Sequence, residues 1–132
     1  MTPFGEKLRT LRAERNITLK EMSEAVGVSA AYLSALEHGR RGRPSWYLVQ
    51  RILAFFNIIW DDAEELVKLA NLSHPRIAMD TAGLSPAATA LANKLAETIR
   101  DLDPAEISRI LEIVEAAAMR ARARRSRRRP AG

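Results

Sequence analysis

Arg40, Arg41 and Arg43 stand within four consecutive positions, interrupted only by Gly42. Guanidinium groups this dense are suited to charge-assisted hydrogen bonds with anionic oxygens, phosphates above all. Residues 120–132 hold seven further arginines and no acid. Such a run binds any polyanion by counterion release, without sequence preference, or serves only to solubilise the chain. Catalysis has far less to work with. The chain has no cysteine, which removes disulfides and thiolate metal sites. His38 and His74 are far apart, with no second ligand near either. Asp61, Asp62, Glu64 and Glu65 place four carboxylates in five positions, but acids there suit the positive end of a helix dipole better than metal or acid–base chemistry. With no nucleophile–base pair, phosphate loop or metal spacing in view, the expectation is a protein that is not an enzyme and carries no metal and no cofactor.

The elements that would position the loop arginines are legible just before them. Thr18 followed by Glu21 makes a capping box. Met22, Ala25 and Val26 then give a short helix one apolar face, and Gly27 ends it, since glycine takes positive φ without strain. Ser29 caps a second helix in which Leu33 and Leu36 turn inward, leaving Ala30, Ala31, Tyr32, Ser34 and Ala35 for the other faces. Two helices around a short glycine turn form a helix-turn-helix pattern. Gly39 is the expected residue after the second helix, and His38 to Pro44 is a loop.

From Leu19 to Glu37, and through His38-Gly39-Arg40-Arg41-Gly42-Arg43-Pro44, the sequence resembles the phage-repressor-like (Xre/Cro-type) helix-turn-helix family. Thr18, Glu21, Gly27, Val28, Ser29, Leu33, Ser34, Glu37, Gly39 and Pro44 carry the match, which covers roughly residues 4–60. The resemblance implies an all-α fold, a five-helix lambda-repressor-like domain. It implies that the helix over residues 29–37 enters the major groove of double-stranded DNA, its N-terminal residues against base edges. The family's base-reading positions fall on Ala30, Ala31, Ser34 and Ala35, beside the cap Ser29. These are short side chains, unable to form the bidentate pairs worth ~1–3 kcal/mol each. Tyr32 is the one long residue on that surface. Reading is therefore expected to rest on thymine methyl contacts, Tyr32, the loop arginines Arg40, Arg41 and Arg43, and DNA shape. Many members hold a phosphate with a glutamine where this chain has Leu19, and Lys20 stands next to it as the substitute. The resemblance also implies a salt bridge between Arg12 and Glu37.

Charge divides along the chain. Residues 1–56 carry nine Lys/Arg against five Asp/Glu, and residues 57–119 five against eleven. A basic first region suits a polyanion, and the acidic middle a different task. Thr2-Pro3 starts a first helix with Phe4, Leu8 and Leu11 inward, ending near Asn16. Ser45 caps a fourth, with Leu48, Val49, Ile52, Leu53 and Phe56 inward and Trp46 and Tyr47 read as packing before contact with the DNA backbone. Asn57 to Trp60 is a break, and Asp61 opens a fifth helix with Ala63, Leu66, Val67 and Ala70 buried. Residues 1–70 thus make the DNA-binding domain and residues 71–84 a linker, with a short helix or extended chain near Ile77 to Met79.

Ser85-Pro86 and Asp103-Pro104-Ala105-Glu106 start two more amphipathic helices, a C-terminal hairpin over residues 85–119. One stripe runs through Ala88, Leu91, Ala92, Leu95, Ile99 and Leu102, the other through Ile107, Ile110, Leu111, Val114, Ala117 and Ala118. A lone hairpin buries neither well, so it packs on the first domain or on its copy in a second subunit; the copy is favoured, a homodimer through residues 85–119. Residues 120–132 form the arginine-rich basic tail, whose start continues the last helix and whose end is expected to be disordered. No signal peptide or apolar run of ~20 residues is visible, so the expected place is the cytoplasm, on the nucleoid. The function expected is that of a dimeric, sequence-specific transcriptional regulator, a repressor before an activator. The alternative is a DNA-binding antitoxin whose acidic C-terminal half takes a protein partner.

Overall fold

The computed structural model describes residues 1–128. Seven α-helices and one short 3-10 turn, and no strand, make up the secondary structure of the described residues. The chain divides into two units, the first Met1–Ala78 and the second beginning at Met79.

In the first unit, α1 spans Pro3–Glu14, α2 Leu19–Val26, α3 Ala30–Glu37, α4 Trp46–Phe55 and α5 Trp60–Asn71. Side-chain hydroxyls set the starts. Thr2 Oγ1 accepts from the Gly5 N–H at 3.0 Å, Ser29 Oγ from Tyr32 at 3.0 Å and Ser45 Oγ from Leu48 at 3.2 Å. Thr18 and Glu21 close a reciprocal capping box. Three helices end in the same way. Asn16, Gly39 and Asn57 take φ of 53°, 73° and 54°, and the next amide reaches back five residues, Ile17 to Arg12, Arg40 to Ala35 and Ile58 to Leu53. These are Schellman closures, which satisfy carbonyls the helix leaves open.

Phe4, Leu8 and Leu11 of α1, Met22 and Val26 of α2, and Leu33 and Leu36 of α3 form one side of the core. Leu48, Val49, Ile52 and Leu53 of α4, with Phe56, Leu66 and Ala70, complete it. Burial of such side chains contributes about 1.5–3 kcal/mol each. Three details differ from the sequence expectation. Ala25 is exposed and Ser23 is buried in its place, its hydroxyl donating to the Lys20 carbonyl at 2.8 Å. That local bond removes the cost of burying the hydroxyl. Helix α5 starts at Trp60, in the left-handed region at φ 56°. Of the two forms expected around Ile77 to Met79, a short helix or extended chain, the helix is not formed. The segment expected to begin the linker at residue 71 is tied to the domain: Asn71 ends α5, and Ser73 is buried with its Oγ accepting from the Phe4 N–H at 3.0 Å. Phe4 sits in the first turn of α1, whose amides have no partner within the helix, so a hydroxyl 69 residues away closes the domain there.

The second unit holds α6, Pro86–Thr98, a 3-10 turn Ile99–Asp101, and α7, Pro104–Arg128. Ser85 caps α6, and Asp103 and Glu106 exchange backbone bonds at the start of α7. No residue of either helix is buried. Ala88, Ala92 and Leu95 are half-buried, whereas Leu91, Ile99, Ile107, Leu111 and Val114 are exposed. Helix α7 takes in residues 120–128, because alanine and arginine favour helix and no breaker precedes Pro130. The end of the tail, expected to be disordered, lies outside the described residues.

Candidate nucleic-acid interface

Glu37, the last residue of α3, is 2% exposed, and α1 holds it in two ways. Arg12 supplies the side-chain contact. Its Nε donates to Oε1 at 2.8 Å and its Nη2 to Oε2 at 2.9 Å, a bidentate fork, while Nη1 reaches the Ile17 carbonyl at 3.3 Å. Gly5 supplies the backbone contact. A Cβ there would lie 2.3 Å from the Glu37 carbonyl oxygen and 2.8 Å from its Cα. Only glycine lets α1 press this closely against the end of α3. The sequence offered one signal for Gly5, a glycine inside an otherwise helical stretch, which costs helix stability and so calls for a packing reason.

With Leu33, Leu36 and Glu37 turned inward, α3 presents its remaining side chains on the opposite surface. Ala31 is exposed, and Ala30, Tyr32, Ser34 and Ala35 are partly so. The cap Ser29 is exposed, as is Lys20 in the first turn of α2. His38 Nδ1 donates to the Ser34 carbonyl, 2.7 Å away.

The loop arginines have three different settings. Arg40 is exposed, its backbone fixed by the Schellman bond to Ala35. The Arg41 guanidinium lies 5.8 Å from the centroid of the Tyr32 ring, at the outer reach of a cation–π contact. It therefore links the loop to the first turn of α3. Arg43 turns away towards α5 and donates to Asn71 Oδ1 at 3.1 Å. Trp46 and Tyr47 correct the sequence reading. They are 65% and 70% exposed, edge to face at 5.3 Å, rather than packed in the core. Both sit in the first turn of α4, where the inward stripe begins only at Leu48.

The four carboxylates Asp61, Asp62, Glu64 and Glu65 are exposed along the start of α5. Among the described residues no group of three His, Asp or Glu side chains converges as a metal site would require. No described helix is long and apolar enough to cross a membrane.

Residues 3–66 match the family of the helix-turn-helix domain. Among curated relatives, the HTH-type transcriptional repressor RghR of Bacillus subtilis is 38% identical over 61 residues, 46% of this chain and 45% of its own. The HTH-type transcriptional regulator DdrOP3 of Deinococcus deserti is 40% identical over 63 residues, 48% of each chain. The HTH-type transcriptional activator BcrR of Enterococcus faecalis is 36% identical over 70 residues, 51% of this chain and 34% of its own. The chain thus spans less than half the length of these relatives. Residues 3–66, with the capped α2, the glycine turn and the clamped α3, thus form a helix-turn-helix domain similar to those of Xre-like DNA-binding regulators.

Proposed function

We propose that this protein is a sequence-specific, double-stranded DNA-binding transcriptional regulator that acts as a homodimeric repressor. The observation that carries the reading is the outer surface of α3. Its side chains are short, its ends are fixed by Ser29 and Glu37, and it is bordered by Lys20, Arg40 and Arg41. A helix rigidly held with small residues outward can approach base edges closely, and cations at its borders neutralise phosphates on either side. Ala30, Ala31, Ser34 and Ala35 then meet the bases, and Tyr32 supports Arg41 at the backbone. Several relatives are named as regulators, RghR as a repressor and BcrR as an activator. Repression is the simpler mechanism for this chain, because occupancy of a promoter excludes other proteins with no further contact. Selection of bound duplexes from a random pool tests the reading. An inverted repeat with half-sites about 34 Å apart is the expected product, and the absence of any enriched sequence would overturn it.

Loop charge gives a second measurement. Arg40→Ala and Arg41→Ala each lower affinity for all duplex sequences alike and reduce the slope of log affinity against log salt by about 0.9 for each subunit bound. Arg43→Ala has the smaller effect, since Asn71 holds its guanidinium towards α5. An unchanged slope in both of the first two variants removes the loop from the interface.

The dimer rests on the exposed apolar residues of the second unit. Leu111 and Val114 of α7 are 49% and 51% exposed, and Leu91 and Ile99 59% and 53%. Apolar patches left in water mark association surfaces. A second copy is the occupant that two-fold operator binding requires. Leu111→Glu is expected to convert the dimer to a monomer in sedimentation while leaving the melting of the first unit in place. A monomeric parent protein, or a dimeric variant, counts against this interface.

A further inference from the structure

The arginines at the end of α7 have no role in the surface described above, yet they are ordered on a helix. Helix α7 runs without a break from Pro104 to Arg128. Its last acid is Glu115, and Arg120, Arg122, Arg124, Arg125, Arg127 and Arg128 follow. All six are exposed, and none forms an ion pair among the described residues.

Helical periodicity sorts them. At 3.6 residues per turn, Arg120, Arg124, Arg127 and Arg128 fall within an arc of about 100°, with Arg122 on the other side. Arg120–Arg124 and Arg124–Arg128 are like-charge neighbours four apart, and Arg124–Arg127 three apart, pairings that destabilise a helix until an anion lies alongside. The row is about 12 Å long. Duplex DNA presents about seven phosphate charges over that length. A membrane surface is the poorer match, because a helix lying on lipid needs bulky apolar residues opposite its cations. Here the other side carries Met119, Arg122, Ala123, Arg125 and Ser126.

We propose that residues 120–128 are a second, sequence-independent DNA contact, an arginine-faced helix laid along the phosphate backbone. It rests on the reading that the protein binds duplex DNA, and it assigns to α7 a share of the affinity that carries no sequence information. The local concentration of α3 near DNA rises while the choice of site is left to α3.

The test uses the full chain with Arg120→Gln, Arg124→Gln, Arg127→Gln and Arg128→Gln combined, glutamine being a good helix former. Circular dichroism checks that the helix persists. Fluorescence anisotropy on a random-sequence duplex gives the salt dependence between about 50 and 200 mM. The expected result is a slope shallower by about 3–4 for each subunit bound, against a change of about one or less per subunit for Arg122→Gln alone. An unchanged slope in the combined variant overturns the proposal. So does an unchanged slope joined to lost binding of phosphatidylcholine–phosphatidylserine vesicles, which assigns the row to lipid. The Arg40→Ala/Arg41→Ala protein separates the two readings. If it keeps the parent slope while the combined variant loses its own, the loop arginines leave the proposed α3 interface and the α7 contact stands.

Discussion

Arg12→Ala is expected to cost the first unit about 3 kcal/mol or more, towards the 3–5 kcal/mol seen when one partner of a buried ion pair is removed. The size follows from the geometry. Glu37 is 2% exposed, and both of its carboxylate oxygens accept from the one guanidinium, at 2.8 and 2.9 Å. Without Arg12 the carboxylate is charged, buried and unpartnered. For a domain of this size, 1 kcal/mol corresponds to about 4–8 °C, so thermal unfolding should show a fall well beyond 10 °C. Arg12→Met combined with Glu37→Met should recover much of the loss, because paired apolar replacements avoid the stranded charge. A melting temperature unchanged in Arg12→Ala would show that the fork contributes nothing. The consequence for binding is direct, since Glu37 ends the helix whose other face is exposed.

Gly5→Ala is the second large effect, about 2–3 kcal/mol of destabilisation from overpacking. On helix propensity alone alanine would gain roughly 0.5–1 kcal/mol. The clash outweighs that gain because the added methyl meets the backbone of Glu37 at 2.3–2.8 Å, which cannot rotate away as a side chain could. Relief requires α1 and α3 to separate, which also stretches the Arg12 fork. Gly42→Ala is the matched control: a Cβ there meets nothing within 4 Å. That substitution should stay within about 0.5 kcal/mol. Equal melting temperatures for the two variants would mean that α1 and α3 do not meet at Gly5.

Both effects converge on one residue, and this explains why α3 can work as a rigid probe. Its first turn is set by Ser29 and its last residue by Gly5 and Arg12, with Leu33 and Leu36 filling the core between. Short outward side chains gain little energy from each base contact, so placement of the backbone must supply the selectivity.

The helix starts were legible in the sequence because their physics is local. Thr2, Thr18, Ser29, Ser45, Ser85 and Asp103 each cap with a hydrogen bond spanning three residues, and inward stripes such as Phe4, Leu8 and Leu11 follow from helical periodicity. Tertiary structure decided what depends on distant partners. Ser73 read as linker until its hydroxyl met the Phe4 amide, and Arg43 read as a loop cation until it met Asn71. Trp46 and Tyr47 are large and apolar enough for a core, but the orientation of α4 left them in water. Gly5 carries no side chain whose periodicity could report it, and its importance exists only where two helices cross. Sequence patterns encode contacts within about one helical turn; contacts between turns far apart in the chain are fixed only once the core has closed.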